Sequence, residues 1–307
     1  FWWKETDIQK NQVLRYDKSD NFWEMGEVGP CGPCSELHID LGEGTCPLSD
    51  QHECAVNVEG CWRFVELWNL VFMQYQRFPD QHLEPLPAQH VDTGMGLERI
   101  CRVLQQVDSN YSTDLFVPIL GKISEVTGTE DKEGEIGVAY RVIADHLRSL
   151  SFAIADGAIP SNEGRGYVLR RMLRRATRFG RVLGMEKPFI HQLVGTLSEV
   201  MGEAFPELPA QQKHIEKVIE SEESSFGQTL DRGLEIFEQM ASSSGTSERG
   251  GLSGEDAFKL YDTYGFPVDL TRLMCDERGL SVDETGFEKL MEEQQTRARE
   301  AGKFKMT

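Results

Sequence analysis

The stretch VDTGMGLERI at residues 91–100 places a carboxylate, two glycines and an arginine where an extended run gives way to a helical one. Asp92 can hold an ammonium group, Gly94 and Gly96 let backbone come close to a ligand, and Arg99 opens the following helix. The same pattern also suits a tight strand-to-helix junction with a salt-bridged arginine. These ten residues alone do not choose between the two.

Outward from this stretch, residues 1–120 mix β-like runs, HIDLG at 38–42 and WRFVELWNLVFMQY at 62–75, with turn-rich connections. From about residue 140 the apolar period becomes helical, through Ile143, Leu147, Leu150 and Ile154, and again through Ile215, Val218, Ile219, Phe226, Leu230, Leu234 and Phe237. ASSSGTSERGGLSG at 241–254 reads as a flexible loop. Ser253 and Asp256 then form an N-cap pair for a helix that Gly265 and Pro267 end, and a further helical stretch runs from about Gly286 to Glu300. The expected fold class is α+β: an antiparallel sheet within 1–120, followed by an all-α region over 121–307.

The 307 residues, 39% of them apolar, suffice for one large domain or two ordinary ones. No apolar run approaches a membrane span and no signal peptide is legible, so a soluble cytoplasmic protein is expected. Seven cysteines without regular disulfide spacing fit a reducing compartment. The formal charge of −19 argues against general nucleic-acid binding, DNA included. One segment departs from that average. Between Gly164 and Met185 there is no acid, while Arg165, Arg170, Arg171, Arg174, Arg175, Arg178 and Arg181 crowd together. On a helical wheel Arg170, Arg171, Arg174, Arg178 and Arg181 share one arc, with Val168, Met172, Ala176, Phe179 and Leu183 opposite. The expectation is an amphipathic helix with a basic outer stripe that is either solvated or set against RNA phosphates.

Three strings carry the chemistry further when they are taken together: VDTGMGLERI, ELWNLVFMQYQR at 66–77 and NFWEMGEVGPCGPC at 21–34. They resemble the second half of the catalytic domain of class II alanyl-tRNA synthetases. The resemblance continues through RVIADHLRSLSFAIADGAIPSNEGRGYVLRRMLRRATRFG at 141–180 and LYDTYGFPVDLT at 260–271, which are similar to that family's tRNA-recognition helices. It implies the C-terminal part of a class II aminoacylation domain, motif 3 included, over 1–120. Over 121–307 it implies a helical tRNA-recognition domain and the start of a linker toward an editing domain. The chain opens at Phe1, and motif 1 and the motif 2 arginine are not found in it, so the 307 residues are expected to be a fragment inactive in isolation.

The resemblance implies ATP-dependent activation of L-alanine to alanyl-adenylate, then transfer to the 3′ end of tRNA(Ala), with Mg²⁺ neutralising charge on the phosphates. Leu67, Trp68, Asn69 and Gly96 correspond to residues that contact ATP, and Asn69 and Asp92 to residues that hold alanine, with Gly94 beside them. Trp23 and Val71 correspond to apolar walls around the alanine methyl, and Trp23 also borders ATP. Such walls discriminate by only about 1–3 kcal/mol per methylene or hydroxyl. Arg99 matches the motif 3 arginine over the adenine, a task for a planar cation. The reaction needs positioning more than proton transfer, so no general base is assigned, and His38 and His90 are read as ordinary residues. In the family, an asparagine and an aspartate read a G·U pair of the acceptor stem. Asn162 and Asp262 occupy the matching places, although a helix N-cap and a turn are equally good readings of them. The expected phosphate contacts are Arg170, Arg174 and Arg178.

Cys31 and Cys34 form a C-x-x-C inside GPCGPC, which the resemblance makes a loop near the active site. The insertion CPLSDQHECAVNVEGC at 46–61 instead brings Cys46, His52, Cys54 and Cys61 together. They would complete a tetrahedral structural zinc site or else be unligated loop residues, and the spacing matches no standard zinc pattern. A second functional reading is a synthetase-like tRNA-binding or regulatory protein without aminoacylation activity. The presence together of Asn69, Asp92, Gly96 and Arg99 favours the enzyme.

Overall fold

Strands β1 (Phe22–Glu24), β2 (Gly29–Asp40), β3 (Phe64–Arg77) and β4 (Leu83–Met95) pair in chain order as one antiparallel sheet. The computed structural model describes residues 2–50, 53–244 and 251–304. Two units divide the chain, Phe1–Thr113 and Asp114–Thr307. In the first, the β-branched and aromatic side chains of VELWNLVFMQY suit a pleated surface, and β3 follows them with a partner strand on each side. A short helix α1 (Trp2–Glu5) precedes the sheet, and α2 (Leu97–Gln105) follows β4 at once.

GPCGPC is not the expected loop. It starts β2, with Cys31 opposite Tyr75 and a register shift between Cys31 and Cys34 that absorbs the Gly-Pro step as a bulge. Glycine is required there, since a Cβ on Gly32 would lie 2.0 Å from the Phe72 carbonyl oxygen. Two prolines hid the strand from a reading based on propensity.

The second unit is mainly helical: α3 (Val117–Thr127), α4 (Glu135–Ala155), α5 (Gly164–Val182), α6 (Val194–Met201), α7 (Glu207–Ser244), α8 (Gly254–Tyr264), α9 (Val268–Asp276) and α10 (Glu284–Phe304). Helical order therefore begins before residue 140. As the periodicity predicts, Ile143, Leu147, Leu150 and Ile154 are fully buried along α4. Residues 241–244 extend α7 rather than opening a loop, and residues 245–250 of that expected loop lie outside the described residues. The region is not all helix, because β5 (Gly251–Leu252) and β6 (Ser281–Val282) form a small parallel pair.

The 38-residue α7 spans about 57 Å at ~1.5 Å per residue and carries Phe226, Leu230 and Phe237 into a core shared with Leu260, Phe266 and Leu270. Close approach sets this packing, since a Cβ on Gly233 would meet Phe266 Cδ2 at 2.2 Å. The Ser253 cap forms as expected: its hydroxyl accepts from the Asp256 N–H at 3.1 Å and donates to the Asp256 carboxylate at 2.8 Å. Gly265, at φ +63°, ends α8 in the left-handed conformation, and its N–H returns to the Tyr261 carbonyl at 3.1 Å.

Among the described residues of this unit one acid, Glu223, is buried. The Glu223 side chain, on α7, accepts backbone N–H donors of Phe189 and Ile190 at 3.1 Å, at the start of the 3₁₀ turn Ile190–Leu193 that leads into α6. Burial pushes its carboxyl up to about 7 from an ordinary 4.5, against the lowering pull of those two N–H groups and of Arg181. Between these values the folded chain holds a proton that the unfolded chain has released, so stability falls as pH rises through the window. Urea titrations of Glu223→Gln from pH 4.5 to 7.5 are expected to lack a pH slope of up to about 1.4 kcal/mol per unit that the parent shows. An unchanged slope in the variant would remove Glu223 as its source.

Candidate active site

The β3–β4 register sets Asn69 opposite Gly94 and Val71 opposite Asp92, and the β2–β3 register sets Glu36 opposite Asn69 and Cys34 opposite Val71. Directly opposed residues share a face and side chains alternate along a strand. Leu67, Asn69, Val71, Asp92 and Gly94 therefore occupy one face of the sheet, while Trp68 belongs to the other. Val71 is buried at 6% exposure, and Trp23 sits on β1, which β2 and β3 separate from the strand carrying Asp92. Asp92 is not buried. It is exposed, as is nearly all of β4 beyond Pro87, because among the described residues β4 has a pairing partner along only one edge.

Asn69 is the polar centre of this face. Its Nδ2 donates to Glu36 Oε1 at 3.2 Å, and its Oδ1 is buried without a hydrogen-bond partner among the described residues. A buried carbonyl oxygen left without a donor costs about 1–3 kcal/mol, which an incoming N–H would recover. Glu36 also meets His38 Nε2 at 3.0 Å. His38 is thus more than an ordinary strand residue, and Glu36 is a site residue that motif reasoning missed. The alternation in SELH could have put both on one face.

Gly96 and Arg99 form the junction. The Gly96 N–H donates to the Leu67 carbonyl at 3.1 Å, and the Gly96 carbonyl accepts from the Ile100 N–H at 3.0 Å as α2 begins. Arg99 folds back to β3, where Nη1 donates to the Glu66 carbonyl and to Glu66 Oε2, both at 2.9 Å. A Cβ on Gly96 would sit 3.2 Å from Arg99 Cδ, so the glycine leaves room for this return. A Cβ on Gly94 would meet nothing within 4 Å, which leaves open space above that backbone.

A cavity of about 700 Å³ opens beside β2, lined by Trp2, Tyr16, Cys34, Glu36, His38 and Asn57 among others. Burial, helped by Glu36, pushes the Cys34 thiol up, and burial with Glu24 does the same to Cys31. Both shifts disfavour the thiolate form. In the insertion, the sulfur atoms of Cys46, Cys54 and Cys61 all lie within 4.8 Å of one another. His52, the fourth expected ligand, lies outside the described residues.

In the second unit the outer basic stripe is corrected. Arg178 is buried at 7% exposure and forms a two-point ion pair with Glu277, its Nη1 donating at 3.0 Å. Arg170 and Arg174 share Glu222, with Nε to Oε1 distances of 2.9 and 3.4 Å, and Arg181 meets Asp231 at 2.7 Å. Val168, assigned to the apolar side, is 54% exposed. A wheel sees one helix only; here α7 supplies Glu222 and Asp231, and the C-cap of α9 supplies Glu277, so the arginines face inward. The exposed arginines of α5 are Arg165, Arg171 and Arg175, and Arg171 pairs with Asp269 at 2.9 Å. Asn162 is exposed and precedes the N-cap, which is Glu163; its Oδ1 accepts from Arg170. Asp262 is exposed in the last turn of α8 rather than in a loop, and it accepts from Gln294. The cap and turn readings of these two residues are thereby overturned.

No helix among the described residues is long and apolar enough to cross a membrane. The family described as tRNA synthetases class II (A) matches residues 1–307. A protein of Chlorobium luteolum named alanine–tRNA ligase is 56% identical over 303 residues, covering 97% of this chain and 33% of its own length. Proteins of the same name from Chlorobaculum tepidum and Stenotrophomonas maltophilia are 54% and 53% identical, covering 99% and 93% of this chain and 34% and 31% of their own lengths. The chain thus spans about a third of the length of the curated relatives it matches. A matched family over every residue, on an α+β chain whose antiparallel sheet carries the Asn69–Asp92 face and the Arg99 junction, makes this chain a member of the class II (A) tRNA synthetases.

Proposed function

We propose that this chain forms the alanine and adenylate site of an alanine–tRNA ligase. The observation that carries the reading is the β3–β4 register, which puts Asn69, with its unpartnered buried oxygen, on one face with Asp92 and Gly94. In this reading the alanine ammonium lies between Asn69 Oδ1 and the Asp92 carboxylate, with Val71 and Trp23 toward the methyl group. ATP runs along Leu67 and Gly96 toward Arg99, whose guanidinium covers the adenine from its anchor on Glu66, and Trp68, its side chain on the other face, offers ATP only its backbone. An alanine carboxylate oxygen then attacks the α-phosphorus and the bond to pyrophosphate breaks. No proton needs to move, so positioning and charge neutralisation supply the acceleration. Mg²⁺, when bound with ATP, would neutralise phosphate charge, and Glu36 and Glu66 carry the kind of oxygen donors it takes.

The second unit is read as the tRNA-binding part. Asn162 and Asp262, both exposed, are proposed to read the G·U pair of the tRNA(Ala) acceptor stem. Phosphate contacts fall to the exposed Arg165 and Arg175, and to Arg171 where it exchanges its exposed pair with Asp269 for a phosphate. Arg170, Arg174 and Arg178 are already matched by acids, and in this reading they hold α5 in place.

In the full-length protein, Asp92→Ala is expected to lower kcat/KM for alanine in ATP–pyrophosphate exchange by about 30-fold or more, from ~2 kcal/mol or more of lost ammonium binding. tRNA affinity is expected to stay within about twofold, because this reading gives Asp92 no RNA contact. Exchange at the parental rate would take Asp92 out of the site, and absence of alanine-dependent exchange in the parent itself would favour a tRNA-binding protein without catalysis.

For tRNA, alanine at Arg171 and Arg175 is expected to weaken binding for any sequence and to reduce the salt slope by up to about one unit for each phosphate left unneutralised. Asn162→Ala and Asp262→Ala should instead narrow the preference for a G·U over a G·C stem, because base-edge contacts specify where phosphate contacts position. Titrations at several salt concentrations separate these outcomes. A salt slope unmoved by the arginine changes would return Arg171 and Arg175 to the solvated surface, and an undiminished G·U preference would remove Asn162 and Asp262 from recognition.

A further inference from the structure

The connection between β2 and β3, residues 41–63, is long, and none of its described residues lies in a helix or strand, so it needs its own means of order. Its base is clamped: the Leu41 N–H donates to the Arg63 carbonyl at 2.9 Å, and Arg63 grips both Asp40 oxygens at 2.6 and 2.7 Å. Two hydrogen bonds hold its flank, Tyr16 OH to the Val56 carbonyl at 3.1 Å and Asn57 Nδ2 to Asp20 Oδ1 at 3.0 Å. Its interior holds three thiols. Cys46 is 3% exposed, Cys54 and Cys61 are half-buried, and their sulfurs all lie within 4.8 Å of one another.

We propose that Cys46, Cys54 and Cys61 bind one zinc ion, which orders this loop and the cavity wall that Cys54, Ala55, Val56 and Asn57 provide beside β2. One disulfide could join only two of three sulfurs that lie within 4.8 Å of one another, whereas a single ion uses all three. A sulfur set of this kind selects a soft or borderline metal rather than Mg²⁺ or Ca²⁺, and zinc prefers it in tetrahedral form. These three sulfurs leave one tetrahedral position, which water can fill. Binding converts the three thiols to thiolates and releases their protons to solvent. A loop with so few apolar side chains of its own gains its order from the ion in place of a core.

Metal analysis of the full chain, purified without added metal, is expected to show one zinc per chain, and Cys46→Ser together with Cys54→Ser to lose it. Cobalt(II) replacing zinc in the parent chain should give a strong thiolate-to-metal charge-transfer band, a readout independent of how the variant folds. Chelation should accelerate amide exchange across residues 41–63 while leaving the centre of β3 protected. Substoichiometric zinc with no cobalt band, or zinc fully retained in the double variant, would overturn the proposal, as would exchange across 41–63 that chelation does not change.

Discussion

The hydrogen-bonded register between β3 and β4 is the constraint on which the site depends. Asn69 opposite Gly94 and Val71 opposite Asp92 exist as neighbours only in this pairing. With a side-chain period of two, a slip of one residue would send Asp92 to the face occupied by Trp68 and away from Asn69. The bulge between Met73 and Tyr75 lies outside the segment from Trp68 to Met73, which pairs without interruption with residues 90–95. Gly96 completes the constraint, because it both receives the strand end through Leu67 and admits the Arg99 side chain back across it. One length of strand pairing thus aligns an amide, an acid, an apolar wall and a guanidinium.

The second unit rests on a different principle. Arg170, Arg174, Arg178 and Arg181 reach acids on neighbouring elements, and each long side chain buries its methylene stem along the helix interface. Arg174 also covers the Phe226 ring at 4.9 Å, and Arg178 covers Phe179 at 5.0 Å. Burial pulls the Arg174 guanidinium down from its ordinary value while Glu222 holds it up. Breaking such a pair on one side is costly because it leaves the other charge unmatched in a poorly solvated place. The acidity of the chain and this cluster of arginines are therefore two halves of one packing arrangement.

The alternating pattern of β3, the period of α4 and the Ser253 cap were legible because each depends on residues close in sequence. The start of β2 was not, since Pro30 and Pro33 argue locally against a strand and only the approach of Gly32 to Phe72 shows why one forms. The arginine face of α5 was placed on the outside, toward solvent or RNA, because its partners lie about 50 to 100 residues further along the chain. Glu36 escaped notice for a related reason, its meaning residing in Asn69 across the sheet. The gathering of Cys46, Cys54 and Cys61 was one of two readings the sequence left open, because their spacing fits no standard zinc pattern.

The most direct measurement is a structure of the full-length protein with a hydrolysis-resistant alanyl-adenylate analogue. The alanine ammonium is expected within hydrogen-bond distance of both Asn69 Oδ1 and the Asp92 carboxylate, with the adenine beneath Arg99. An ammonium held by Glu36 alone, with Asp92 left in solvent, would contradict this assignment.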